Sequence, residues 1–294
     1  MISKLLLPLL ILFFALFTGC GRSAPETGLP IVAVSIQPQK YFVEKIARHL
    51  VSVLVMVPPG VSEHTYEPKP LQMASLSKAS LYFGIGIEFE EAWLSRLAGT
   101  YPQLKVVRTD SGIARMPMEE PVVIGKAEDA HEHEGLDPHI WLSPELVKVQ
   151  ATTMTAALCA RFPRHAAEFR ANDSLFMVEI DSLQREIRTM LARRSGNDPI
   201  MVFHPAWGYF AREFGLKQMA IEVEGKEPSA RELGEILDYA RNNHVSTIFV
   251  QPQFSRRTAE IIAREIGARI AIADPLAADW AGNLRNLAKA LVEP

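Results

Sequence analysis

The chain has 294 residues, room for two ordinary domains or one large one. Its 31 Lys and Arg against 34 Asp and Glu leave a net charge of −3, so no basic excess marks a nucleic-acid binder, and 48% hydrophobic with 22% charged residues is a globular composition. The two cysteines, Cys20 and Cys159, exclude a disulfide scaffold and a four-cysteine zinc site.

Residues 1–20 read MISKLLLPLLILFFALFTGC. A basic Lys4 precedes an apolar run over 5–17, too short for a membrane span of about 20 residues but suited to a secretory signal peptide. Its end, Phe17-Thr18-Gly19-Cys20, resembles a bacterial lipobox, with Phe17 where Leu is usual. That resemblance implies cleavage before Cys20 and lipidation of its thiol, with residues 21–30 as a short tether. Cys159, in an Ala/Leu-rich stretch, reads as a small buried hydrophobe.

Short apolar runs at 31–36, 51–57, 81–87 and 104–107 predict four strands, with helical segments between them. The grammar returns at 200–203, 217–221, 245–250 and 268–273. Ser229-Ala-Arg-Glu232 is a capping-box signature opening a helix, and a second helix over 255–266 ends at Gly267. Between these halves, Phe169, Phe176, Ile180, Leu183, Ile187 and Met190 recur at helical spacing. One long helix over about 165–194 follows, or two with a break near Asn172-Asp173-Ser174. The expected class is α/β. Two lobes, 31–164 and 196–294, each carry a parallel sheet flanked by helices and are joined by one long rigid helix over 165–195. Glu88, Glu90 and Glu91 read as a solvated helix face.

The chemistry lies in the histidines. His64 follows the second strand, His204 follows the strand at 200–203, and Asp274 follows the strand at 268–273. In open parallel sheets, ligands bind beyond the carboxyl ends of strands. His139 sits in the constrained Asp137-Pro138-His139-Ile140-Trp141 segment. Imidazole and carboxylate from four positions suit tetrahedral zinc, although only tertiary structure can gather residues so far apart. Gly84-Ile-Gly86 lacks the third glycine of a nucleotide loop, and no HExxH pair supports a zinc hydrolase.

Three stretches, PPGVSEHTYEPKP (58–70), DPHIWLSPE (137–145) and VFHPAWGYFAREFGL (202–216), resemble the zinc and manganese solute-binding lipoproteins of bacterial ABC transporters. IADPL (272–276) resembles that family's last ligand segment. The resemblance implies a metal site of His64, His139, His204 and Asp274, with Glu63 as an alternative carboxylate. It implies zinc rather than manganese, since manganese-type members tend to have Glu where His204 stands. It further implies a lipid-anchored monomer at the periplasmic or outer cell surface that delivers Zn2+ to an ABC permease. Such a protein is not an enzyme, because a closed four-ligand site leaves no position for water. A manganese or iron receptor of the same fold, or a surface adhesin, are the alternatives. The family's long His-rich loop shrinks here to His131-Glu-His133-Glu134, and the C-terminal disulfide of some members is missing. With the lobes held by a rigid helix, metal release falls to local movement, most simply of the Asp274 loop.

Overall fold

The computed structural model describes residues 28–118, 135–194, 199–223 and 225–292. The expected signal peptide and lipobox, with Cys20, and also His131 and His133, lie outside the described residues. No helix among the described residues is long and apolar enough to cross a membrane.

All eight expected strands form. β1 (Ile31–Val34), β2 (Ser52–Val55), β3 (Ala79–Gly84) and β4 (Lys105–Arg108) make one parallel sheet in the order β2-β1-β3-β4. β5 (Ile200–Val202), β6 (Gln218–Ala220), β7 (Thr247–Val250) and β8 (Arg269–Ile272) make a second, in the equivalent order β6-β5-β7-β8. The apolar runs are continuous because helices cover both sheet faces. In the second sheet the pleat sorts neighbours between two cores. Val202 and Phe249 join the main core, while Met201, Phe203, Ile248 and Val250 join a smaller one under α7 (Ala230–Asn242) and α8 (Arg257–Ile266).

α7 starts at the expected box: Ser229 Oγ accepts from the Glu232 N–H, and Glu232 accepts from the Ser229 N–H. α8 ends on Gly267 at φ +72°, a left-handed cap that favours glycine. Around the first sheet lie α1 (Gln37–Ala47), α2 (Pro70–Leu76), α3 (Glu88–Thr100) and α4 (Pro144–Arg161). Cys159, near the end of α4, is a buried free thiol.

The bar between the sheets is α5 (Ala166–Leu191), 26 residues, or roughly 39 Å at 1.5 Å per residue. It runs unbroken through Asn172-Asp173-Ser174, where the Asn172 and Ser174 side chains find backbone carbonyl partners. Asn172 Nδ2 donates to Ile46 O at 3.0 Å, and Ser174 Oγ donates to Arg170 O at 2.9 Å. Phe169, Phe176, Ile180, Leu183 and Ile187 are buried as their spacing predicts, against α1, α4 and the last helix.

Two helices remain: α6 (Gly208–Phe214), directly after the β5 loop, and α9 (Trp280–Ala290). α9 crosses to the first lobe. Trp280 meets Phe42 edge-on, with ring centroids 5.2 Å apart, and lies beside Tyr41 and Phe176. Its Nε1–H donates to Trp141 O at 2.6 Å, and Trp141 Nε1–H donates to Pro275 O at 2.8 Å. The lobes therefore share one core, with a reciprocal pair of indole hydrogen bonds across it. Trp280→Ala removes a fully buried ring and one of these bonds, so unfolding free energy should fall by about 3–5 kcal/mol. Equilibrium denaturation that moves by under about 1 kcal/mol would show that the lobes do not depend on this contact.

Candidate metal centre

The carboxyl ends of both sheets face one another, and three histidines meet there. His64 comes from the β2–α2 loop, His139 from the segment before the short 3-10 turn at Ile140–Leu142, and His204 from the loop after β5. Their ligand atoms lie within 4.8 Å of one another. His64 Nε2 is 3.0 Å from His204 Nε2, which is 3.4 Å from His139 Nε2. A tetrahedral ion with bonds of about 2.05 Å needs nitrogens roughly 3.3 Å apart, and these separations bracket that value.

Each imidazole is turned by a carboxylate on its far nitrogen. Asp137 Oδ1 lies 2.7 Å from His139 Nδ1, Glu222 Oε1 lies 2.7 Å from His204 Nδ1, and Glu88 Oε1 lies 2.9 Å from His64 Nδ1. A carboxylate accepts, so each Nδ1 carries a proton and the three Nε2 atoms converge. This carboxylate–histidine pairing is the arrangement that orients metal ligands and raises their basicity. Gln251 fixes His204 further: its amide accepts from the His204 N–H at 3.2 Å and donates to His204 O at 2.7 Å. Phe254 stacks on the His204 ring.

Sequence reading missed the three orienting carboxylates. Their signal is positional: Glu222 follows β6, Glu88 opens α3 just after β3, and Asp137 precedes His139 by two residues. The solvated helix face expected for Glu88, Glu90 and Glu91 holds for the exposed Glu88 and Glu91 and fails at Glu90. Glu88 holds His64, and Glu90 is wholly buried. Three donors draw Glu90 inward: Ser35 Oγ, which bonds its Oε1, and the Ile85 and Gly86 N–H groups at 2.7–3.0 Å; the Tyr82 hydroxyl in turn bonds Ser35 Oγ at 2.7 Å. Arg115 grips the same two peptides from the other side, donating to Ile85 O and Gly86 O. Gly86 sits at φ +80° with no room for a Cβ beside the Arg115 guanidinium, so glycine is required there. The loop that delivers Glu88 is thereby held on both edges.

The two candidate carboxylates differ. Glu63 Oε1 is buried and no hydrogen-bond donor reaches it; it lies 3.5 Å from His139 Nε2 and 4.0 Å from His64 Nε2. Neither carboxylate is among the three converging ligand atoms, but only Asp274 has its oxygen engaged elsewhere. Its Oδ1 accepts from Gln253 Nε2 at 2.8 Å and from the Leu276 N–H at 2.9 Å, and its carbonyl accepts from Asn283 Nδ2 at 2.7 Å. With Pro275 O held by Trp141, the segment expected to move on release is tied at several points.

The electrostatics follow from this packing. Burial opposes charge on His139, but Asp137 and Glu63 outweigh it and raise the imidazole to about 10. Burial would likewise raise Glu63, yet its contacts with His139 and His64 bring it down to about 2. His204 is lowered, chiefly by burial and also by the charge of His139, against the pull of Glu222. Without metal at neutral pH, His139 is a buried imidazolium between two carboxylates, and His204 is neutral.

The family model of the periplasmic zinc-uptake complex component A, ZnuA, matches residues 32–294. The chain belongs to this family. A crystal structure of ZnuA superposes with a TM-score of 0.83 at 42% identity, over 90% of this chain and 98% of that one. A zinc-bound deletion mutant of ZnuA gives 0.81 at 42% identity, over 90% and 97%. The high-affinity zinc uptake system protein ZnuA of Bacillus subtilis is 28% identical over 274 residues, 90% of this chain and 85% of that protein. The ZnuA family is one of solute-binding receptors, not of enzymes.

Proposed function

We propose that this chain is an extracytoplasmic zinc receptor that passes Zn2+ to an ABC permease and is anchored by lipid on Cys20. The observation that carries the reading is the convergence of three Nε2 atoms at zinc-like spacing, each imidazole backed by its own carboxylate. Three imidazoles favour zinc over manganese, which prefers more oxygen ligands. Glu63 completes the set as fourth ligand, because its buried oxygen faces only the site histidines, 3.5 Å from His139 Nε2 and 4.0 Å from His64 Nε2. Asp274 stays with Gln253 and braces the cleft. Four protein ligands close the coordination sphere, so zinc is cargo rather than a catalyst. Release falls to the loop over 58–69, which carries Glu63 and the partly exposed His64.

The test is a competitive titration of the metal-free protein with Zn2+ and, in parallel, Mn2+. Tight 1:1 zinc binding with much weaker manganese binding is expected. Glu63→Gln should weaken zinc about 10–100-fold, while Asp274→Asn should change it by less than about threefold. Equal manganese affinity would overturn the choice of metal, and the reverse order of the two variants would return Asp274 to the ligand set.

A further inference from the structure

α6 begins four residues after His204 and sends two side chains out of its own lobe. The Tyr209 hydroxyl donates to Asp137 O at 3.0 Å and accepts from the Met116 N–H at 3.0 Å. One turn later, Glu213 takes Ser143 Oγ and the Glu145 N–H (3.1 Å) on one oxygen, and Gln184 Nε2 (2.7 Å) on the other. Asp137 and Ser143 bracket His139, two residues before it and four after. The whole His139 segment is thus pinned at both ends by one short helix leashed to His204. The approach is close: a Cβ at Gly208 would lie 3.1 Å from Asp137 Oδ2.

We propose that Tyr209 and Glu213 are positioning residues that set the His139–His204 separation across the lobe boundary, and so tune zinc affinity without touching the ion. The inference rests on the zinc-receptor reading above. Neither side chain reaches an imidazole. Tyr209 acts through the Asp137 backbone, and Asp137 in turn orients His139. Glu213 acts through the first turn of α4, where its carboxylate answers a free helix N–H and the Ser143 hydroxyl. A metal constellation must be held within about 0.5 Å of its productive geometry, and these two ligands come from different lobes. The indole pair joins the lobes beyond His139 through Trp141 and Pro275; the α6 contacts close the other side.

The experiment uses the full chain with Tyr209→Phe, Glu213→Ala, Glu213→Gln and Arg212→Ala, the last an exposed residue of the same helix. Zinc affinity is read by chelator competition, and ligand geometry by the visible absorption bands of the Co2+-loaded protein. Tyr209→Phe and Glu213→Ala should each weaken zinc by about tenfold and shift the cobalt bands. Glu213→Gln should recover most of the loss, since its amide oxygen still accepts from Glu145, and Arg212→Ala should match wild type. Wild-type affinity and spectrum in Tyr209→Phe and Glu213→Ala would overturn the proposal, including the case where only the melting temperature falls. Failure of the wild-type protein to bind zinc would instead overturn the reading beneath it.

Discussion

Replacing His139 with alanine should abolish zinc binding and, separately, destabilise the metal-free protein. The second effect is the less obvious one. His139 is fully buried and lies between Asp137 and Glu63, themselves buried. Removing the cation of such a cluster leaves anions in a dry site, which costs about 3–5 kcal/mol. For a chain of this size that corresponds to a fall in Tm of roughly 10 °C. His204→Ala also removes a zinc ligand but deletes a ring held neutral, so its metal-free Tm should fall far less. Thermal unfolding of the two stripped variants decides the point: equal losses would refute the buried ion pair.

The same pair gives the metal-free protein a defined pH window. His139 is raised above the ordinary 6.5, so its contribution is complete below that value and drains away as pH climbs toward about 10. Glu63 is lowered from 4.5, so its contribution is complete above 4.5 and is lost as pH falls toward about 2. Both are in full force only between pH 4.5 and 6.5.

Zinc binding at pH 8 should release close to one proton. The ion needs the lone pair of His139 Nε2, and that nitrogen is protonated until the pH approaches 10. His204, already neutral, contributes none. Intrinsic affinity should therefore rise about tenfold per pH unit from neutrality upward, near 100-fold between pH 7 and 9. From ordinary histidine chemistry alone, the rise would end near pH 6.5. The carboxylates around His139 extend it. Isothermal calorimetry in two buffers of different ionisation enthalpy measures the proton directly, and buffer-independent heats at pH 8 would rule the mechanism out.

Much of this architecture was legible in the chain. The eight strands stood out because parallel strands buried on both faces read as short apolar runs, and α5 because its stripe persists for five turns without Gly or Pro. His64 and His204 were legible through their positions beyond strand ends, and His139 through the constrained segment and the family motif around it. What stayed hidden depended on tertiary contact. Glu90 sits in a run of acidic residues that looks solvated, and only the fold brings Ser35 and two turn amides to it. The choice between Glu63 and Asp274 depends on which carboxylate the backbone has already furnished with donors, and spacing carries no trace of that. α9 carries the apolar residues of an ordinary amphipathic helix; nothing local says that it packs on the opposite lobe.

That crossing has a consequence for how the molecule is made. Trp280, Leu284, Leu287 and Ala288, near the end of the chain, fill a core that also holds Phe42, Ile46 and Leu81. The indole bonds close loops of 134 and 139 residues. Pairings so remote in sequence slow folding, because their loop-closure entropy is spent before any contact repays it. The half synthesised first does not seal its interior until α9 packs onto it. Formation of the first lobe's interior is therefore coupled to the arrival of α9 from the second lobe, a long-range step that sets a slow pace for folding.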